Sequence, residues 1–230
     1  MRLVGGRERG NKEVTDKLWT LTSHDQWREI LPPMTVKRCG ASAVEYVKNI
    51  IVAGGQNDRR GYIDIVEVYN GHHWTKAQCL PKPCWWMKSA VLSGYWYLMG
   101  GNEQGKEVYC ASLASLVASC QLSEELLPSV WKRLTDVPHE LSSLVVFGNR
   151  LIAVGGYPLT SSIHAYSPHT QSWIRVGDMP IGLNSTCAVV LPTGSLMVIG
   201  GWSVTNLWES CVYQATSNGN VCCTCSTRNS

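Results

Sequence analysis

Apolar residues in this chain come in short runs, and each of the main runs is closed by a pair of glycines. Leu3-Val4 precedes Gly5-Gly6, Ile50-Ile51-Val52-Ala53 precedes Gly54-Gly55, and Trp96-Tyr97-Leu98-Met99 precedes Gly100-Gly101. Leu151-Ile152-Ala153-Val154 precedes Gly155-Gly156, and Leu196-Met197-Val198-Ile199 precedes Gly200-Gly201. Apolar runs this short, ended by glycine, predict buried strands rather than helices. The second glycines are 49, 46, 55 and 45 residues apart, so the chain is a repeat protein. Glycine suits these places because a residue without Cβ takes φ > 0 cheaply and lets neighbouring backbone approach. Turn residues precede the later runs, at Lys48-Asn49, Ser93-Gly94, Gly148-Asn149 and Thr193-Gly194. They predict tight hairpins into each run.

Tryptophan keeps the same time. Trp27, Trp74, Trp131 and Trp173 stand 27, 26, 24 and 27 residues before the next glycine pair. Pro81, Pro138 and Pro180 each follow their tryptophan by seven residues, and Pro32 follows Trp27 by five. One unit therefore reads as strand, turn, apolar strand, Gly-Gly, loop, third strand, turn and a fourth strand opened by tryptophan. Four antiparallel strands per unit make one propeller blade.

On these residues the chain resembles the kelch-repeat family. That family carries a diglycine after its second strand, a tyrosine ending the third and a tryptophan opening the fourth. Tyr69 with Trp74 and Tyr166 with Trp173 fit the pair; Tyr109 lies 22 residues before Trp131, and Trp19 stands where the first tyrosine belongs. Trp-Asp dipeptides and Ser-x-Asp-x-Gly-x-Thr-Trp boxes, the marks of two other propeller types, are absent from the sequence. The expected fold is an all-β, kelch-type propeller of four to five blade units over 1–214, with units about 1–36, 37–83, 84–138, 139–180 and 181–214. Residues 215–230 are expected to form a poorly ordered tail. Both end units read as three strands, which suggests a piece of a larger propeller. The third unit has about ten surplus residues, Ala111–Leu127. There Leu113, Leu116, Val117 and Cys120 recur at i, i+3, i+4, i+7 and predict a short helix on the outer edge of a blade.

Composition excludes more than it identifies. A chain of 230 residues that is 44% hydrophobic can bury a substantial core, and a net charge of +3 without a basic stripe gives no reason to expect nucleic acid. The apolar stretches are too short to span a bilayer, and the first ten residues hold no apolar signal segment. Most of the ten cysteines stand singly and read as reduced core thiols of a cytoplasmic protein. Neither Cys222-Cys223-Thr224-Cys225 nor His72-His73 has partners at metal-ligand spacing, so no metal or other cofactor is expected.

No catalytic residues can be assembled, and the copper enzymes of the galactose oxidase type, an alternative on a related propeller, need a tyrosine-histidine set not found here. A non-functional gene fragment is the other alternative. The kelch resemblance implies a non-enzymatic module that binds a partner protein or peptide on its loop face, as a substrate-recognition scaffold does. No ubiquitin-ligase link is supported by this chain, since no BTB segment is visible in it. The face would draw on 56–63, 81–89, 102–106, 157–162, 179–185 and 202–206. Within it Arg59, Arg60 and Tyr62 offer two guanidiniums and a ring, able to hold a carboxylate or phosphate. Trp85, Trp86, Tyr157 and Trp202 supply further aromatic surface of the kind that anchors partners.

Overall fold

Alternating burial and hairpin chemistry produce five antiparallel sheets. In the computed structural model of the protein, the residues described are 2–7, 13–23, 25–30, 32–101, 105–121, 128–140, 143–203, 212–215 and 221–224. The first sheet is β1 (Arg2–Arg7), β2 (Val14–Leu21) and β3 (Trp27–Ile30). The second is β4 (Ser42–Tyr46), β5 (Asn49–Ala53), β6 (Val66–Tyr69) and β7 (Trp74–Ala77), in that order. The third is β8 (Lys88–Leu92), β9 (Tyr95–Met99), β10 (Val108–Ser112) and β11 (Trp131–Leu134). The fourth holds β12 (Ser143–Phe147), β13 (Arg150–Val154), β14 (Thr160–Ser167) and β15 (Ser172–Asn184). The fifth holds β16 (Cys187–Val190), β17 (Leu196–Ile199), β19 (Val212–Ala215) and β20 (Val221–Thr224). A two-residue strand, β18 (Trp202–Ser203), pairs with the end of β15 and gives the fourth sheet a fifth strand.

The chain divides into two compact units. One comprises Met1–Met87, Gly94–Trp96 and Cys110–Lys132, the other Lys88–Ser93, Tyr97–Tyr109 and Arg133–Ser230. In the first unit Leu18, Met34, Ile50, Val52, Tyr69 and Trp74 form a buried cluster. In the second Ile152, Val154, Ala165, Met179, Leu183, Leu196 and Val198 do the same. Among the described residues, no helix is long and apolar enough to cross a membrane.

The glycine pairs have a common geometry. All ten glycines take positive φ, from 60° at Gly5 to 135° at Gly156. The second N–H of a pair donates to a carbonyl on the segment leading to the next sheet: Gly6 to Arg38 (2.9 Å), Gly55 to Cys84 (2.8 Å) and Gly156 to Leu183 (2.9 Å). A Cβ on the first glycine would stand 2.3 Å from the Arg38 oxygen at Gly5 and 2.5 Å from the Cys84 oxygen at Gly54. The second glycine faces the entry of its own sheet. There a Cβ would meet the Cys39 oxygen at 2.9 Å (Gly55), the Glu140 oxygen at 2.1 Å (Gly156) or the Asn184 oxygen at 2.8 Å (Gly201).

Repeat tryptophans add a second recurring link. The Trp74 indole N–H donates to the Pro32 carbonyl (2.9 Å), that of Trp131 to Gln78 (3.2 Å) and that of Trp173 to Thr135 (3.1 Å). Each acceptor lies just past the last strand of the preceding sheet. Trp74 and Trp131 are buried and Trp173 is half-buried, but Trp27, which opens the edge strand β3, remains 44% exposed. In the second sheet a fully buried Arg38 bonds the Gly54 and Ile65 carbonyls and the Glu67 carboxylate, which also accepts from Thr35. Burial lowers the Arg38 pKa from its usual value, and the Glu67 charge and hydrogen bond work against that fall.

Four details depart from the sequence reading. The first hairpin turns at Val47-Lys48, both at positive φ, rather than at Lys48-Asn49; Asn49 pairs with Tyr46 and opens β5. Thr193-Gly194 belongs to a longer turn, closed by Leu191 N–H to Ser195 and Gly194 N–H to Leu191. The C-terminal segment includes strand β20, so the fifth sheet has four strands where three and a tail were expected. The Val-Cys-Cys-Thr stretch has β-branched ends and no glycine or proline to bar pairing, but it lacks the tryptophan that marks a fourth strand elsewhere. Finally, residues 179–184 continue β15, and its end, Leu183-Asn184, pairs with Trp202-Ser203 rather than lying in an open loop. The surplus in the third unit does form a helix, α1 (Leu113–Ser119), capped by the Ser112 side chain. It sits against β7, where the Ser119 hydroxyl accepts from the Gln78 N–H.

Candidate functional site

Two short segments of the first unit build an aromatic surface. The first, 56–63, is a closed loop. Asn57 N–H donates to the Gly61 carbonyl (3.0 Å), Gly61 N–H to Asn57 Oδ1 (2.8 Å) and Arg60 N–H to the Asn57 carbonyl (3.1 Å). The Asp58 carboxylate accepts from the Val14 N–H at 2.7 Å and fastens the loop to β2. At its tip Arg59 and Arg60 are exposed, with Arg60 at φ 59°, and Tyr62 leaves the loop 44% exposed.

The second segment, 84–87, is held at both ends. Cys84 and Met87 are buried, and the Cys84 N–H donates to the Ile63 carbonyl at 3.2 Å. Between them the chain bulges outward. Trp86 takes φ 51° while its N–H donates to the Gly40 carbonyl at 2.7 Å. Its indole edge lies over Gly40, where a Cβ would come within 2.5 Å of Cδ1. Left-handed backbone in so bulky a residue costs on the order of 1–3 kcal/mol.

The outcome is a column of three rings. Tyr62 and Trp85 stack with centroids 5.2 Å apart and planes 11° apart; Trp85 and Trp86 stack at 4.4 Å and 28°. Trp85 is half-buried in the middle, and Trp86 is 68% exposed at one end. Each such pair contributes about 0.5–1.5 kcal/mol, enough to offset much of the strain at Trp86. Among the described residues, no carboxylate pairs with Arg59 or Arg60.

Of the residues singled out from sequence, the structure brings Tyr62, Trp85 and Trp86 together, and Arg59 and Arg60 are exposed on the loop that leads into Tyr62. Tyr157 and Trp202 lie in the second unit. Tyr157, 59% exposed, exchanges backbone hydrogen bonds with Glu140, and Trp202 is half-buried in β18. His72 and His73 are exposed and cap the turn, their N–H groups donating to Asn70 Oδ1. Sequence reasoning missed Gly40, and it placed Asp58 and Met87 in the loop face without seeing that Asp58 fastens the loop to β2 and that Met87 is buried beneath the stack's segment. It also missed a histidine pair, His139 and His164, with ring centroids 5.8 Å apart.

Comparison with known proteins bears on this geometry. The Kelch motif family model matches residues 141–180, the span of the fourth sheet's first strands. Human Kelch-like protein 23 is 27% identical over 207 residues, covering 87% of this chain and 35% of the relative. Bovine Kelch-like protein 36 is 24% identical over 181 residues, covering 74% and 28%. The Kelch-like protein terF of Aspergillus terreus is 23% identical over 221 residues, covering 85% and 47%. The chain thus spans about a third of the length of the first two relatives and under half of the third. The solved structure of YjhT superposes with a TM-score of 0.74 at 12% identity, over 97% of this chain and 80% of that one, a likeness of fold. Glycine pairs, tryptophan links, motif match and relatives agree: the chain carries a Kelch motif over residues 141–180, is similar to kelch-like proteins and has the fold of a kelch-type β-propeller.

Proposed function

We propose that this chain is a non-enzymatic, cytoplasmic protein-binding module that takes a partner protein or peptide on its loops. The observation that carries this reading is the three-ring stack with Trp86 68% exposed. An exposed tryptophan held in a strained backbone by buried neighbours is poor economy for packing alone, and such rings dominate binding energy at interfaces. The kelch-like relatives support an interaction role. In this reading Trp86 is the anchor, Trp85 holds it upright, and the arginines rim the contact.

The test pairs binding with stability. Peptides selected from a random display library on the purified chain should lose at least about tenfold in affinity for Trp86→Ala. The melting temperature of that variant should fall by no more than the few degrees that one lost stacking contact implies, because the side chain is otherwise largely solvent-exposed. Unchanged affinity for both Trp86→Ala and Trp85→Ala would place binding elsewhere. A purified chain that bound copper and oxidised a sugar alcohol would return the enzyme reading.

A further inference from the structure

Resting on that reading, we propose that the partner segment presents a phosphotyrosine, its ring added to the aromatic column and its phosphate held by Arg59 and Arg60.

The ring geometry narrows the ligand first. Planes 11° and 28° apart form a stack, not a cage. A cage of crossed rings would surround a cation, whereas a stack offers flat faces to another ring. Two exposed guanidiniums on the loop that carries Tyr62 also disfavour a cationic guest. The charge narrows it further. Arg59 and Arg60 have no carboxylate partner among the described residues, and the adjacent Asp58 carboxylate is engaged by the Val14 N–H. Their charge is therefore free for a ligand. A phosphate monoester carries about −1.5 to −2 at pH 7 and three acceptor oxygens, which suit two guanidinium forks better than one carboxylate does.

Spacing joins the two requirements. Arg60 is two residues from Tyr62 on a loop closed by four hydrogen bonds and pinned to β2. Loop spacing thus ties the arginine tip to the column through Tyr62. Phosphotyrosine carries anion and ring on a rigid group. Glutamate and phosphoserine bring the charge without the ring, and tyrosine the ring without the charge.

Immobilised nine-residue degenerate libraries centred on phosphotyrosine, tyrosine, phosphoserine or glutamate test this, with phenyl phosphate as soluble competitor. The phosphotyrosine library should retain at least about tenfold more protein than the other three. Retention should fall with rising salt and be lost in Arg59→Gln, Arg60→Gln and Trp86→Ala, with melting temperature unchanged in the two arginine variants. The arginine variants keep the column intact, so they remain informative if Trp86→Ala folds poorly. Equal retention on the tyrosine or phosphoserine library overturns the proposal, as does no retention on any. If the tyrosine library is retained equally and Trp86→Ala loses both, the binding surface stands and the phosphate falls. If retention survives Trp86→Ala on every library, the surface itself falls.

Discussion

At Gly156 a Cβ would stand 2.1 Å from the Glu140 carbonyl oxygen, whereas at Gly6 it would meet nothing within 4 Å. Both residues have φ near 130°, a region essentially reserved for glycine, so both substitutions carry backbone strain of about 1–3 kcal/mol. Gly156→Ala must in addition displace backbone that accepts the Tyr157 N–H at 2.8 Å. Gly156→Ala is therefore expected to destabilise more than Gly6→Ala, as read by urea midpoints. Equal losses would show that φ alone explains the second glycine. The pairs themselves were legible in the sequence, because short runs ending in Gly-Gly need no tertiary information. Which carbonyl each glycine admits was not, since Arg38, Cys84 and Glu140 are ordinary residues until the fold brings them near. The Arg38–Glu67 pair was hidden for the same reason, its members being 29 residues apart.

Within single sheets, the repeat shows what the fourth one has changed. Arg38 lies four residues before Ser42, which opens β4, and His139 lies four before Ser143, which opens β12. Glu67 stands two before Tyr69, and His164 two before Tyr166. The histidine pair thus occupies the places of the buried arginine and glutamate. Burial, then the neighbouring His139 and Arg175, lower the His164 pKa below its usual 6.5, against a smaller upward pull from Asp178. A histidine with a depressed folded pKa binds fewer protons folded than unfolded, so stability rises with pH across the interval. The contribution is fully present above about 6.5 and is lost as pH falls through the lowered value. Thermal melts from pH 7.5 to 5 should show this acid loss, and His139→Arg with His164→Glu should flatten it by restoring opposite charges. An unchanged pH profile in the double variant would remove the pair from the account. Sequence reading saw four similar units and so passed over this exchange; it also set the first turn one residue late, because Asn49 looks like a turn residue while Val47 does not.

Across the molecule, stability depends on how each repeat is tied to the one before it, since blades of a repeat protein are not independent. The indole-to-carbonyl bonds of Trp74, Trp131 and Trp173 are such ties, and their regular spacing made them visible in the sequence as markers though not as bonds. Spacing could not reveal that burial differs: Trp131 is 6% exposed and packs near Trp96 at 6.3 Å, while Trp173 is half-buried. Removing a buried ring of this size costs about 3–5 kcal/mol, so Trp131→Ala should fall in that range. Trp173→Ala should cost less, because part of its surface never left water. Trp131→Phe keeps most of the ring but strands the Gln78 carbonyl without its indole donor, an expected loss of roughly 0.5–1.5 kcal/mol beyond the small change in volume. Urea unfolding followed by far-UV circular dichroism and by fluorescence gives all three values. If Trp131→Phe proves as costly as Trp131→Ala, the hydrogen bond outweighs the packing and the ranking is wrong. A Trp173→Ala loss equal to that of Trp131→Ala would instead mean that the tie between repeats, rather than burial of the ring, sets the stability of each blade.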